Sequence, residues 1–218
     1  EAHWRNRENN QPFFSVFNFN VTHESNIWKN ETTYSAKELD NVQIPAFFPE
    51  NSKIKSDFIT NYKNIEKLDE QIGVIINQLK EDDLYDNTII FFFSDHGGPF
   101  PRYKRSIYET GLRVPMIAKW INDKNRGNNY QLVSFVDFAP TVLDAANLKR
   151  EFPFEGISFF KKNNRSYVYA ASDRFDEATD IRRSIRDDKF KLIYNGDTSS
   201  PVYKSVRYRK QMLTMQVL

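Results

Sequence analysis

The 218 residues are enough for one sizeable domain, or a domain with a small appendage, and at 39% hydrophobic and 28% charged they do not have the composition of a disordered chain. No apolar run approaches the ~18 residues of a membrane-spanning helix, and the net charge of +2, with Lys and Arg interleaved among Asp and Glu, gives no basis for binding nucleic acid. The lack of cysteine excludes disulfides and thiolate metal sites.

Glu1 to Gln11 is polar and has no apolar signal-peptide core. Phe13 to Phe19 (FFSVFNF) reads as a buried strand, short, aromatic and β-branched, with His23 just past its C-terminal end. Asn26 to Asn51, punctuated by Pro45 and Pro49, reads as a long loop or lid. A helix follows, with Ser56 or Asp57 as its cap and Ile59, Tyr62, Ile65, Leu68, Ile72, Ile75 and Leu79 recurring at three- and four-residue steps. Asp82 to Asn87 is predicted to turn into Thr88 to Phe93 (TIIFFF), a continuous apolar run suited to a central parallel strand that ends in Ser94-Asp95-His96-Gly97-Gly98.

Further strands are predicted at Val114 to Trp120 and Tyr167 to Ala171, with a hairpin of Arg183–Arg186 and Phe190–Tyr194 across Asp187-Asp188. Asp123 to Asn129 reads as a polar loop, and Phe135 to Leu148 as a helix with Pro140 in its first turn. Gly156 and the basic run Lys161 to Arg165 mark a boundary. The expected fold is therefore α/β: a mixed, largely parallel central sheet flanked by helices over residues 1–155, with a small antiparallel subdomain over 156–218. The basic, then apolar tail from Tyr203 to Leu218 fits no element.

Several residues could carry chemistry. Asp95 and His96 stand where open α/β sheets place their sites, and carboxylate and imidazole both ligate divalent metals; a capping Asp beside a surface His is the structural alternative. Lys104, with Arg102 and Arg105, forms a run of three cations in four residues that could hold an anionic oxygen or simply be a solvated basic loop. His23 can bind an anion or donate a proton to a leaving oxygen; a packing or surface residue is the structural alternative. In YETGLRVP, Arg113 is expected to pair with a carboxylate, Gly111 to supply a turn and Pro115 to start a strand. Asp137 reads as a helix cap. Asp173, Arg174, Asp176 and Glu177 could line a pocket or a solvated loop.

In order and spacing these segments resemble the sulfatases of the alkaline phosphatase superfamily. The resemblance rests on FFSVFNFNVTH, YKNIEKLDEQIGVIINQL with DNTIIFFFSDHGG, KRSIYETGLRVPMI, VSFVDFAPTVLDAANL and RRSIRDDKFKLIYN, and covers Phe13 to Asn195. It implies a calcium ion, or magnesium or manganese, bound by Asp95 and His96, although many members have Asn at the second position. It further implies that Lys104 contacts the sulfate and that His23 binds it or protonates the leaving group, with Arg102, Arg105 and Arg174 facing substrate.

The family nucleophile, a formylglycine within C/S-x-P-x-R, and a pair of metal-binding carboxylates have no counterpart in this sequence. The expectation is a C-terminal fragment, inactive alone, whose partner is the N-terminal half of the same enzyme. The implied substrate is a sulfated polysaccharide or its oligosaccharides, and the implied location is periplasmic or secreted. GGPFPRYKR and SDRFDE are similar to the sulfamidase-like branch, so N-sulfoglucosamine hydrolysis is an alternative. A phosphonate or phosphodiester hydrolase of the superfamily and a non-catalytic binding protein are two others.

Overall fold

A computed structural model describes residues 3–29, 32–121, 126–149, 151–161, 165–199, 201 and 203–218. In chain order the helices are α1 (Ser25–Trp28), α2 (Ala36–Asn41), α3 (Ser52–Glu81), α4 (Glu109–Leu112), α5 (Phe138–Ala145) and α6 (Leu213–Val217). The strands are β1 (Ile90–Phe93), β2 (Met116–Lys119), β3 (Val168–Phe175), β4 (Ala178–Arg186) and β5 (Lys191–Asn195). The chain divides into two compact units: Glu1–Asp86 with Arg207–Leu218, and Asn87–Val206.

The first unit is built on α3. This helix starts at Ser52 because the Asn51 side chain accepts the Lys53 amide at 2.9 Å. Neither Ser56 nor Asp57 caps it. Asp57 is buried and turned away, accepting both the amide and the hydroxyl of Thr214 at 2.6 and 2.7 Å. The predicted lid contains α1 and α2, the latter closed by a capping box between Ser35 and Glu38. The unplaced tail returns to the same helix: α6 contacts α3, and Arg209, in a 3₁₀ turn over Arg207–Gln211, meets Glu24 at 3.1 Å with both side chains buried. At the other end Trp4 and Arg5 both donate to Asp82, at 2.7 and 2.8 Å.

Burial along α3 differs from its sequence pattern. Ile54, Phe58 and Ile59 are buried near its start and Leu79 near its end, but Tyr62 and Ile65 on the predicted apolar stripe are exposed. Phe13 to Phe19 likewise has the sequence of a buried strand and forms no ladder among the described residues, leaving Phe14 73% and Val16 66% exposed. A strand requires a neighbour for its N–H and C=O groups, and the described residues supply none there.

In the second unit, β1 pairs antiparallel with β2, from Ile90 opposite Lys119 to Phe93 opposite Met116. A second antiparallel sheet runs β3-β4-β5, with a register irregularity at Ser172/Arg174 and the predicted hairpin between β4 and β5. The architecture is mixed α/β as the sequence implies, with the described ladders all antiparallel; β1, expected to sit between parallel neighbours, has β2 as its partner instead. Phe91 and Phe93 anchor the unit by ring contacts to Phe138 at 5.5 and 4.5 Å, extended by Phe159 and Trp120.

Pro140 lies in the first turn of α5, as its missing N–H requires. Asp137 occupies the N-cap position of α5, but its side chain makes no cap hydrogen bond to that helix; its carboxylate instead accepts the Ser134 and Ile157 amides and a bidentate pair from Arg165. Burial alone would push this carboxyl up; Arg165 and the two amides outweigh it and hold it below the ordinary value. Of the predicted loop Asp123 to Asn129 and the basic run Lys161 to Arg165, residues 123–125 and 162–164 lie outside the described residues.

The Asp57 carboxyl is pushed up to about 6 by burial, against the opposing hydrogen bonds from Thr214. Because the folded value exceeds the ordinary 3.8, the proton stabilises the fold: this contribution is complete below the unfolded pKa and is lost as pH rises through about 6. Asp57→Asn, which keeps an acceptor for Thr214 and discards the charge, is therefore expected to raise the thermal midpoint near pH 7.5, by an amount equivalent to at most about 3 kcal/mol. Near pH 4 the two proteins should unfold within about a degree of each other. Thermal denaturation at both pH values checks this, and an Asn variant less stable at the higher pH would contradict it.

Candidate functional site

Strand β1 delivers Asp95 and His96 into a turn whose shape is set by its contact with the chain around α4. The Gly97 amide donates to the Gly111 carbonyl at 2.9 Å, and a Cβ on Gly97 would lie 1.7 Å from the Thr110 carbonyl oxygen. A Cβ on Gly111 would lie 2.1 Å from the Ser106 carbonyl oxygen. Only glycine permits this approach at either position. The Ser94 hydroxyl closes the turn by donating to the His96 carbonyl at 2.6 Å.

Within the turn the Asp95 side chain is 85% exposed, and its Oδ1 lies 3.6 Å from His96 Nε2. His96 Nδ1 sits 2.7 Å from the Gly97 carbonyl oxygen. A carbonyl only accepts, so Nδ1 carries a proton, and in its neutral form the ring has its lone pair on Nε2. A carboxylate oxygen and an imidazole lone pair thus face each other, which is a fitting pair of donors for a divalent cation. Among the described residues no group of three or more His, Asp or Glu gathers to complete such a site.

Lys104 lies in the loop after this turn and is tied to it, its amide donating to the Gly98 carbonyl at 2.9 Å. The loop is tightly wound: Arg102 and Arg105 both have left-handed backbones, at φ 68° and 73°. The Arg102 guanidinium lies 5.1 Å from the centre of the Tyr108 ring, and its carbonyl accepts the Thr110 hydroxyl. Arg105 Nε meets Asp176 Oδ2 at 2.7 Å, off the N–H axis. Arg174 donates to the carbonyls of Asp176 at 3.2 Å and Glu177 at 3.2 Å, bracing the turn between β3 and β4. Of the three arginines expected to face substrate, two therefore act on this loop and turn in the structure.

Sequence reasoning placed the wrong residue at the ion pair of YETGLRVP. No ion pair of Arg113 is found among the described residues. Glu109 instead takes Arg186 and Lys191 from the hairpin, both at 3.0 Å. Burial would push Glu109 up, but these two cations hold it below its ordinary value. The partners are 77 and 82 residues away, so no local pattern connects them. Gly111, expected to supply a turn, lies instead within α4, where its missing side chain allows a close approach to the Ser106 carbonyl; β2 begins directly after Pro115.

His23 belongs to the first unit. Its Nδ1 lies 2.9 Å from the Ser25 hydroxyl oxygen and its ring 6.2 Å from that of Tyr208. His3, in the polar leader, accepts the Arg5 amide and contacts the Trp4 ring at 4.2 Å.

Comparison with known proteins places these features in context. The sulfatase family profile matches residues 2–148, and a profile for the C-terminal part of N-sulphoglucosamine sulphohydrolase matches residues 98–204. An ulvan-active sulfatase of Formosa agariphila is 40% identical over the whole chain, which spans 43% of that protein's length. The human N-sulphoglucosamine sulphohydrolase is 27% identical over 47% of the chain and 21% of its own length. An N-acetylglucosamine-6-O-sulfatase of Bacteroides thetaiotaomicron is 35% identical over 42% of the chain and 17% of its own. A solved structure of a protein with its substrate D-glucosamine-2-N,6-O-disulfate superposes with a TM-score of 0.54 at 23% identity, covering 73% of this chain and 35% of that one, which shows a shared fold.

The two neighbouring glycines of the turn should respond differently to substitution. Gly97→Ala forces a methyl into a carbonyl oxygen of the backbone and is expected to cost more than about 3 kcal/mol. At Gly98 the added Cβ meets only the Tyr103 ring edge at 3.2 Å, so Gly98→Ala should cost less than about 1 kcal/mol. Denaturant titration of the two variants checks the contrast; equal losses would contradict the close approach.

Proposed function

The chain belongs to the sulfatase family, and from that premise we propose that it forms part of a sulfuric ester hydrolase acting on a sulfated polysaccharide or its oligosaccharides. The observation that carries this reading is the 40% identity to an ulvan-active sulfatase across the whole chain. The match of residues 98–204 to the N-sulphoglucosamine sulphohydrolase C-terminal profile favours a second reading, in which the sulfate is carried on nitrogen.

In this proposal Asp95 and His96, through Oδ1 and Nε2, are two ligands of a divalent cation: calcium, with magnesium or manganese as alternatives. Lys104 donates hydrogen bonds to the sulfate oxygens, where a preorganised cation acts without reorganisation. His23 binds the sulfate or protonates the leaving group; its Nδ1 lies 2.9 Å from the Ser25 hydroxyl oxygen. Bound metal would offset charge on the sulfate, and a formylglycine would supply the attacking oxygen. Neither the C/S-x-P-x-R segment nor the further metal-binding carboxylates occur in this sequence, so this chain alone is inactive and works with another segment of the same enzyme. The exposure of Phe14, Val16, Tyr62 and Ile65, in segments patterned for burial, supports such a covering segment. No described helix is long and apolar enough to cross a membrane, and a periplasmic or secreted enzyme is the proposed setting.

The test joins this chain to a segment carrying C/S-x-P-x-R and measures sulfate release from O-sulfated and N-sulfated oligosaccharides, with a phosphodiester as the third substrate. Lys104→Ala is expected to lower release at least about a hundredfold, and Asp95→Ala to lower both release and bound metal. Near-normal turnover in Lys104→Ala, unchanged metal content in Asp95→Ala, or preference for the phosphodiester would overturn the assignment.

A further inference from the structure

The cation run at residues 102–105 faces two demands. Lys104 has to be presented beside the Asp95–His96 turn, to which its amide is bonded through the Gly98 carbonyl at 2.9 Å. Its neighbours Arg102 and Arg105 hold left-handed backbones that L-residues adopt only where surrounding structure imposes them. Arg105 has an ion-pair partner 71 positions later in the chain. Arg105 Nε meets Asp176 Oδ2 at 2.7 Å, with the two side chains only 12% and 34% exposed. Such partial desolvation makes the pair more than a screened surface contact.

Asp176 is itself held. It sits at φ 53° in the turn between β3 and β4, and Arg174 reaches round to donate to the carbonyls of Asp176 and Glu177. On the far side of the loop Glu109 takes Arg186 and Lys191 at 3.0 Å each. The loop is thus bracketed by ion pairs to the β3-β4-β5 sheet at both ends. A charge pair of this kind can fix backbone position without touching an anion, a role that local sequence cannot separate from direct contact with one.

We propose that Asp176 is a positioning residue: through Arg105 it sets where Lys104 stands against the Asp95–His96 turn. The consequence for sulfate rests on the reading of Lys104 given above, while the positioning itself does not. Asp176 and Arg105 act on Lys104 and need not touch substrate.

Amide hydrogen exchange of the isotope-labelled full chain tests this, read at Lys104 and Ser106, whose amides bond within the loop to Gly98 and Tyr103. Asp176→Asn is expected to speed exchange at both amides by at least about tenfold while the β4–β5 ladder amides stay unchanged. Asp176→Glu, which keeps the charge, should retain protection, and the swap Arg105→Asp with Asp176→Arg should restore it. Unchanged exchange in Asp176→Asn, an equal rise in the β4–β5 ladder, or no recovery in both Asp176→Glu and the swap would overturn the proposal.

A second arm titrates inorganic sulfate and follows the Lys104 amide signal, expected to shift in the native chain and to need several times more sulfate in Asp176→Asn. If exchange behaves as stated and sulfate leaves the native Lys104 signal unmoved, the positioning role stands and the sulfate reading of Lys104 falls. If Asp176→Asn leaves exchange unchanged, the positioning role falls whatever sulfate does.

Discussion

The candidate site depends on one steric constraint: two stretches of backbone touch where side chains would keep them apart. Gly97 lies against the Thr110 carbonyl and Gly111 against the carbonyls of Ser106 and Tyr103. This approach lets the Gly97 amide bond to Gly111 and ties the end of β1 to the segment that leads into β2. The Asp-His turn is therefore seated on the loop that carries Lys104, and a proposed metal-binding pair and a proposed anion-binding lysine come from one short, tightly wound segment.

Charge then fixes what steric contact brings together. Arg105–Asp176 and Glu109 with Arg186 and Lys191 bind the loop to the C-terminal sheet, and Arg165–Asp137 ties the start of α5 to the chain after Gly156. The first unit follows a similar plan with more complete burial. Glu24 and Arg209 are both enclosed, so removing either would take a buried charge partner from the other, a loss of about 3–5 kcal/mol. Asp57 with Thr214 shows the opposite balance: two good hydrogen bonds do not offset the burial of its charge. In both units, long-range polar contacts join segments distant in sequence.

How much of this was legible in the sequence follows from the range of the forces involved. The long helix, β1, β2, the β4–β5 hairpin and the placement of Pro140 were readable, because periodicity, apolar runs and the missing N–H of proline act within a few residues. The Asp95-His96-Gly97-Gly98 turn was readable as a candidate site for the same reason. The cap at Asn51 was missed because the apolar stripe starts later than the helix does, and the helices α1 and α2 were missed because each is shorter than two turns. The partners of Glu109, Arg105 and Glu24 were invisible, since ion pairs across 71 to 185 residues leave no local pattern. Phe13 to Phe19 shows the converse: the strand pattern is clear, yet a ladder needs a partner that the described residues do not provide.

Central to the proposed function is the assignment of Asp95 and His96 as two ligands of a divalent cation bound beside Lys104. Manganese(II) titrated into the isotope-labelled chain would report this even at weak affinity, because its unpaired electrons broaden nearby amide signals. The amides of Ser94 to Gly98 and of Lys104 should broaden before any others, and Asp95→Ala should abolish the effect. Broadening centred on the acidic turn at Asp82, Asp83 and Asp86, with the Asp95–His96 turn left sharp, would contradict it.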